Sequence, residues 1–245
     1  MHVRAGSSYR ARLAQRSSDI EAAQALRFQV FNIELNEGHA HAYDSGLDAD
    51  PFDAVCTHLI VEDELSGAVV GTYRMQTGLQ AQGRLGYYSE REFDFAPFEA
   101  RRSQILELGR ACIHHQHRNF AVLNLLWKGI AVYARDHGAR YLVGCSSLTT
   151  QDEGVGAAAF MQLRRHLAPA DWQTLPRVDF ACVLARPARD VVHIPRLLSA
   201  YLTLGAAICA PPAIDREFKT IDFLTWIDVQ TPRLVTMQGR GRFTA

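Results

Sequence analysis

Apolar and polar residues recur along the chain with the two periods that predict helices and strands. Residues 18–35 have apolar residues at helical spacing, namely Ile20, Ala23, Leu26, Val30 and Ile33. Residues 58–63 and 68–77 are apolar runs joined by Glu64–Gly67, a pattern that predicts a β-hairpin. Further along, the pattern predicts strands at 105–113, 140–148, 178–184 and 223–229, and helices at 122–137, 153–167 and 195–204.

The segments between these elements are polar. Ser18 and Glu21 have the spacing of a capping box, which predicts that the first helix begins at Ser18. Residues 1–17 have no periodic pattern, and we expect a flexible arm there. Residues 36–54 are too long for a simple connection, which indicates a lid or binding loop. Because the composition does not change along the chain, residues 18–245 are predicted to form a single α/β domain around one mixed sheet.

Composition narrows the class of protein. The chain has 245 residues, of which 48% are hydrophobic and 21% are charged, as in an ordinary globular enzyme. Lys and Arg together number 26, equal to Asp and Glu, so we expect no nucleic-acid partner. The five cysteines are widely spaced, which indicates reduced thiols in a cytoplasmic protein. The first residues contain no apolar run of the kind that a secretory signal requires.

One uncharged stretch, residues 197–214, bears on membrane contact. It is interrupted by Gly205 and by Pro211 and Pro212, so it predicts a buried or interfacial helix rather than a membrane span. A peripheral contact with the inner membrane stays open as an alternative.

The predicted strand 105–113 contains two charged residues among apolar ones. A charge inside a hydrophobic strand is costly unless something pairs with it, so Glu107 and Arg110 are candidate functional residues. In a regular strand they would face opposite sides of the sheet, but a bulge at Gly109 would turn both toward one cleft. Glu107 would then suit a general base for an ammonium nucleophile, and a freed backbone N–H would suit an oxyanion. The alternative is a structural pair between Glu107 and an arginine.

The turn after this strand is rich in cationic side chains. His114, His115, His117 and Arg118 surround the start of the next predicted helix, where a phosphate group would be favoured. Three histidines could also hold zinc, but no fourth ligand stands at a motif spacing, so no metal is expected.

Other charged residues could be structural or functional. Arg27 lies one turn from Phe31 on the first helix, either on the surface or in a cleft. Asp50 and Asp53 flank an aromatic residue in what reads as a solvated turn. Arg74 lies inside a strand, where an arginine usually has a carboxylate partner.

Several short stretches in this order resemble a known family. They are Leu26–Phe31, Asp50–Asp53 leading into His58–Val61, Gly71–Arg74, Tyr88–Phe93, Glu107–Arg110 and Asp215–Asp222. Together they resemble the GNAT acyltransferase superfamily. The similarity is greater to its branch that uses acyl carrier protein, with the ornithine Nα-acyltransferases, the N-acyl amino acid synthases and, more distantly, the acyl-homoserine-lactone synthases.

The resemblance implies a fold and a set of site residues. The fold would be α/β, with a mixed, mostly antiparallel central sheet whose central strands splay apart between flanking helices. The catalytic residues would be Glu107 and Arg110. The amino substrate would be held by charged and aromatic residues, namely Arg27, Phe31, Asp50, Asp53 and Arg74. Ser146 would also contact the substrate, near the acyl chain.

The resemblance also implies the reaction. A long-chain (3-hydroxy)fatty acyl group would pass from acyl carrier protein to the α-amine of an amino acid, ornithine first, giving a lyso-ornithine-lipid type of product. The family's usual Gln-x-x-Gly-x-Gly/Ala loop is replaced by Gln116–Ala121, which agrees with a phosphopantetheine arm at His117, Arg118 and Asn119 rather than coenzyme A. No cofactor would be bound.

Four alternatives remain. An N-acyl amino acid synthase could use an aromatic amino acid or glycine. An acyl-homoserine-lactone synthase would use S-adenosylmethionine, and an acetyltransferase would use coenzyme A. A non-catalytic protein that binds a membrane or a partner is the fourth.

Overall fold

A mixed sheet of nine strands forms the centre of the computed structural model, which describes residues 8–231 and the backbone of residues 2–4. The strands are β1 (His2–Arg4), β2 (Tyr9–Leu13), β3 (Thr57–Asp63), β4 (Val69–Thr77), β5 (Ile105–Ile113), β6 (Tyr141–Leu148), β7 (Ala207–Ile208), β8 (Ala213–Asp215) and β9 (Thr220–Asp228). Their order across the sheet is β1-β2-β3-β4-β5-β6-β9-β7, and β8 pairs with β9. Among the described strands only β5 and β6 run parallel, so the predicted mixed, mostly antiparallel sheet is confirmed.

The parallel pair is also where the sheet opens. β5 and β6 are paired only from Ile105 to Glu107 and from Tyr141 to Val143, and they diverge beyond that point. Gly144 stands where the strands part, and a Cβ there would lie 2.2 Å from the carbonyl oxygen of Leu108. A side chain at this position would therefore separate the two strands within their paired segment and shift the fork.

Six helices flank the sheet within the described residues. They are α1 (Ser17–Phe28), α2 (Ala42–Ser45), α3 (Gly78–Ala81), α4 (Phe120–Asp136), α5 (Glu153–Leu163) and α6 (Arg196–Leu204). Shorter 3₁₀ turns, including Pro51–Ala54 and Tyr88–Arg91, lie in the connections.

The longest helix, α4, anchors the main core. Asn119 caps it by accepting the Val122 N–H at 3.1 Å, and it ends before Gly138, whose φ of +65° suits glycine. Its apolar face packs on β2, β3 and β4, with Leu125, Leu126 and Ile130 fully buried. Burial of each such side chain stabilises the fold by about 1.5–3 kcal/mol.

The prediction of a flexible arm at residues 1–17 is wrong for the residues that the structure describes. β2 pairs with β3 along its whole length, and β1 pairs with β2. Arg12 holds this edge in place, because its guanidinium lies 2.8 Å from Asp19 and 2.5 Å from Glu62. The Arg-rich sequence did not predict this strand, because the residues that stabilise it lie outside it.

Three local predictions also need correction. The capping box at Ser18 is not formed; instead Asp19 accepts the backbone N–H groups of Gln15 and Arg16, and the helix begins at Ser17. The helix predicted to reach residue 35 changes after Phe28 into a π-helical turn. The strand predicted at 178–184 is a 3₁₀ turn with one bridge to β8, and Val178 is 91% exposed.

Candidate active site at the fork of the sheet

A cavity of about 320 Å³ occupies the fork between β5 and β6. Its walls come from both strands, from α4, α6 and β9, and from the loop around Tyr88. Part of the wall is an apolar slot, and part consists of two groups of charged side chains, which we call its polar ends. Glu107 lies on the lining.

A bulge in β5 turns the charged residues into this cavity. The register with β4 shifts between Thr72 and Arg74, so that Arg110 and Ala111 together face the single residue Tyr73. Arg110, rather than Gly109, takes the left-handed conformation with φ of +50°. An arginine in this region is strained, and such strain is concentrated at functional sites. Both Glu107 and Arg110 line the cavity as a result, although a regular strand would separate them.

Glu107 is buried and held by three donors from one turn. The backbone N–H groups of Tyr88 and Ser89 each donate to its carboxylate at 2.8 Å, and the Ser89 hydroxyl donates at 2.5 Å. Burial raises the pKa of Glu107, whereas the bonds from Ser89 and Tyr88 act in the opposite direction. The structural pair with an arginine is not formed among the described residues. The result is an oriented carboxylate of increased basicity on the cavity wall.

Three arginines and three aspartates form what we call the arginine–aspartate network: Arg27, Arg74, Arg110, Asp48, Asp50 and Asp53. Its members are all buried or nearly so, and every arginine has at least two ionic contacts. Burial favours the neutral form of Asp53, but Arg27 and Arg74 outweigh it and hold its pKa below the usual range. With all six residues ionised the network is neutral overall, and each charge has an opposite partner, although Asp48 Oδ1 and Arg110 Nε have no hydrogen-bond partner among the described residues.

The network places its predicted residues at different depths. Arg74 and Arg110 line the cavity, whereas Arg27, Asp50 and Asp53 lie behind them. Arg27 is 0% exposed and donates to Asp53 at 2.8 and 3.1 Å. It acts on the cavity through Asp53, which accepts from Arg74 at 2.9 Å, and not by direct contact.

Two aromatic rings enclose Arg110. Its guanidinium carbon lies 4.7 Å from the ring centre of Tyr88 and 4.3 Å from that of Phe218. Phe31 lines the cavity as predicted and packs edge-on against Phe218 at 5.5 Å. The rings fix the direction of the guanidinium group, so that it can meet a carboxylate from one side.

A second group of charged side chains, which we call the acidic end, consists of Glu37, Glu92, Asp215 and Asp222. It meets the network at Tyr88, whose ring faces Arg110 at 4.7 Å and whose hydroxyl donates to Asp215 at 3.4 Å. Glu37, Asp215 and Asp222 line the cavity, and Glu92 lies directly behind Asp222. Burial raises the pKa of Glu37 to about 7, and burial with the charge of Asp215 raises that of Asp222 to about 6. Burial and the charge of Asp222 raise the pKa of Glu92 well above its ordinary value.

No role was predicted for these four residues or for Asp48. One signal was available, since Asp222 is a charged residue inside the apolar run Ile221–Leu224, as Glu107 is in its own strand. Proximity of Glu92 to Asp222 could not be read from the sequence, because it depends on how the Tyr88 loop folds over β9.

The apolar slot runs from the fork toward α4 and α6. It is lined by Leu108, Trp127, Leu142, Leu198, Tyr201 and Ile227. Tyr201 donates or accepts a hydrogen bond with the Tyr73 hydroxyl and packs edge-on against Trp127 at 5.7 Å. Ser146 lies at the cavity wall with its hydroxyl 3.2 Å from that of Thr225. Helix α5, which was predicted at 153–167, adds no residue to this cavity.

Comparison with known proteins shows which family the chain belongs to. Residues 26–128 match the family described as "Acetyltransferase (GNAT) domain". A protein named L-ornithine N(alpha)-acyltransferase from Rhodobacter capsulatus is 33% identical over 239 residues, covering 91% of each chain. One of the same name from Agrobacterium fabrum is 33% identical over 236 residues, covering 90% of this chain and 80% of the relative. The chain belongs to the L-ornithine N(alpha)-acyltransferase family.

Solved structures support the fold of this family member. FeeM, an N-acyl amino acid synthase from uncultured soil microbes, superposes with a TM-score of 0.57 at 11% identity and covers 93% of this chain and 97% of its own. The AHL synthase LasI gives a TM-score of 0.54 at 14% identity and covers 98% and 99%. The acyltransferase therefore has the GNAT-like fold that the sequence pattern indicated.

The residues predicted for the acyl donor lie outside the cavity of this acyltransferase. His117 accepts from or donates to the Tyr9 hydroxyl at 2.9 Å, and Asn119 caps α4. Arg118 makes a two-point contact with Glu34 at 2.5 and 2.7 Å. Their role toward the donor stays a prediction. No helix among the described residues has both the length and the apolar character that a membrane crossing needs.

Proposed function

We propose that this family member transfers a long-chain (3-hydroxy)fatty acyl group from acyl carrier protein to the α-amine of L-ornithine, giving a lyso-ornithine-lipid type of product. The observation that carries the proposal is the cavity itself, which joins an apolar slot to Glu107, Arg74 and Arg110 at the fork of the sheet. The names of the relatives from Rhodobacter capsulatus and Agrobacterium fabrum support ornithine as the acceptor.

Glu107 would take one proton from the α-ammonium of the acceptor. The neutral amine then attacks the thioester carbonyl and forms the new C–N bond, while the oxygen gains negative charge. A backbone N–H of the bulge beside Arg110 would hold this oxygen. As the tetrahedral intermediate collapses, the C–S bond breaks, and the extra proton on the attacking nitrogen passes through solvent to the leaving thiolate, which gives an amide and a thiol. Glu107 then returns its own proton to solvent. The oriented carboxylate supports this order of events because it stays on the cavity wall without an ionic partner.

The acceptor carboxylate would face Arg74 and Arg110. Both arginines line the cavity, and each has N–H groups beyond those that its aspartate partners use, since a guanidinium offers five. The acyl chain would occupy the slot against Trp127 and Tyr201. The side chain of Tyr201 belongs to α6, so this amphipathic helix would cover the chain.

Acyl carrier protein is proposed as the donor because the turn before α4 lacks glycine. A turn that wraps a pyrophosphate closely with backbone amides usually needs glycine, and residues 116–121 contain none. A phosphopantetheine arm has a single phosphate and makes a smaller demand. A cytoplasmic location with peripheral contact at the inner membrane would suit an amphiphilic product.

The test is product formation by purified enzyme, measured by mass spectrometry, with acyl carrier protein and coenzyme A thioesters of one fatty acid. We expect ornithine to be acylated far faster from acyl carrier protein. Glu107→Gln should lower kcat by about 10²–10⁴ while the protein folds normally, because the general base is lost. Glu21→Gln, on the exposed side of α1, is the matched control. Equal use of both donors contradicts the donor, and wild-type turnover by Glu107→Gln removes Glu107 from the chemistry.

A further inference from the structure

Asp222 and Glu92 form the most unusual pair of side chains at the acidic end. They are 4% and 1% exposed, and one oxygen of each lies within 4.8 Å of the other and of the Cys145 sulfur. Glu92 Oε1 and Asp222 Oδ1 have no hydrogen-bond partner among the residues that the structure describes. The other oxygen of Asp222 accepts from the Thr220 hydroxyl at 3.2 Å. A buried carboxylate oxygen without a partner is unfavourable, so this pair has two acceptor positions that a cation could fill.

The neighbouring arginines do not supply that cation. Arg91 pairs with Glu217 at 3.5 Å, and Arg216 pairs with Glu153 at 3.6 Å. The charge of Arg110 lowers the pKa of Glu92, but its guanidinium pairs with Asp50, at 3.1 Å. Within the described part of the chain, no ion pair involves any of the four carboxylates of the acidic end. Asp222 therefore lines the cavity without an ionic partner, where an entering cation can reach it.

Glu107 is connected to this pair by three contacts in series. Its carboxylate lies 2.5 Å from the Ser89 hydroxyl, which lies 3.6 Å from the sulfur of Cys145. That sulfur lies 4.0 Å from Glu92. An amine beside Glu107 and a cation beside Glu92 and Asp222 would thus be separated by a distance that a short methylene chain spans.

We propose that Asp222 and Glu92, supported by the charges of Glu37 and Asp215, bind the side-chain ammonium of a diamino acid acceptor and so select a cationic acceptor. This inference rests on the proposed function, and it assigns the substrate's second amine to a specific pair of residues. The arginine–aspartate network and the acidic end then receive opposite charges of one zwitterionic amino acid. A neutral or aromatic acceptor would leave the two acids without an ionic partner.

Kinetics with ornithine and norvaline test the proposal, because norvaline has the same carbon chain without the second amine. We expect wild-type kcat/KM to favour ornithine by on the order of 100-fold or more, as a site built for a polar group rejects the analogue that lacks it. In Asp222→Asn and Glu92→Gln this ratio should fall at least tenfold, mainly through a higher KM for ornithine. Asp228→Asn is the matched control on the same strand, since Asp228 pairs with Arg140 outside the cavity.

Calorimetric binding of ornithine and norvaline gives a second readout that does not depend on turnover. Selective binding of ornithine that is lost in Asp222→Asn supports the inference even if no acyl transfer occurs, a result that would defeat only the proposed function. Equal binding and equal acylation of the two amino acids overturn the inference and leave acyl transfer intact. A divalent metal bound in equal amount by the wild type, and lost in both variants, also overturns it, because the pair with Cys145 would then be a metal site.

Discussion

The two polar ends of the cavity balance their charges in different ways. In the arginine–aspartate network every buried charge has an opposite partner within 3.3 Å. At the acidic end, Asp222 and Glu92 have unpartnered oxygens and no ion pair among the described residues. The charges of the first end are thus paired without substrate, whereas those of the second gain an opposite charge only when a cation enters. The difference indicates that one end shapes the cavity and the other selects what fills it.

The largest effect on stability should come from disrupting the arginine–aspartate network. Replacing Arg27 by Met leaves Asp48 and Asp53 buried without their main partner, since Arg27 lies 2.8 Å from each. We expect the free energy of unfolding to fall by about 3–5 kcal/mol, measured by denaturant titration at pH 7. Arg135→Met is the control, because its ion pair with Asp136 is exposed, and it should unfold like the wild type. A small effect of Arg27→Met would mean that the network does not stabilise the cavity.

The second prediction is that the two ends respond to pH with opposite signs. Asp53 has a lowered pKa, so the stability that it contributes is present above about pH 4 and is lost as the pH falls. Asp222 has a pKa raised to about 6, so its ionisation opposes folding, and stability is lost as the pH rises through that range.

Asp222→Asn, which imitates the protonated acid, should therefore stabilise the protein without substrate. We expect a gain of about 1–3 kcal/mol at pH 8 and little change near pH 4, measured by thermal unfolding. Asp228→Asn should give no such gain, because Asp228 pairs with Arg140. Destabilisation by Asp222→Asn at pH 8 would show that the acidic end already holds a partner.

The smallest expected effect is the coupling between the two acids. Because the charge of Asp222 raises the pKa of Glu92, neutralising Asp222 relieves Glu92. The double variant Asp222→Asn/Glu92→Gln should gain less stability at pH 8 than the sum of the single variants, by about 1 kcal/mol. Additive effects would mean that the carboxylates do not act as a pair.

Strong patterns in the sequence predicted much of the fold. The runs that became β5, α4 and β6 were placed to within two residues, because their apolar residues face one continuous core. The strand predicted at 178–184 was wrong because its backbone makes only one bridge, to β8, and its apolar side chains lie partly in solvent. β2 was missed because Arg12 is buried only through its contacts with Asp19 and Glu62.

The candidate site was likewise predictable from the sequence only in part. Glu107 and Arg110 could be chosen from the sequence because a charge in an apolar strand needs a reason, and the bulge could be anticipated from that conflict. Which residue takes the strained conformation could not, since the rings of Tyr88 and Phe218 that hold Arg110 come from distant segments. The meeting of Glu92 with Asp222 depends in the same way on loop placement.

A crystal structure with bound N-acyl-ornithine tests the central claim most directly. The account predicts that the acyl chain lies in the slot between Trp127 and Tyr201, with the amide nitrogen beside Glu107. The side-chain ammonium should lie within hydrogen-bond distance of Asp222 or Glu92. A product bound outside the fork, or one whose ammonium points to solvent while the two carboxylates stay unpartnered, would contradict the account.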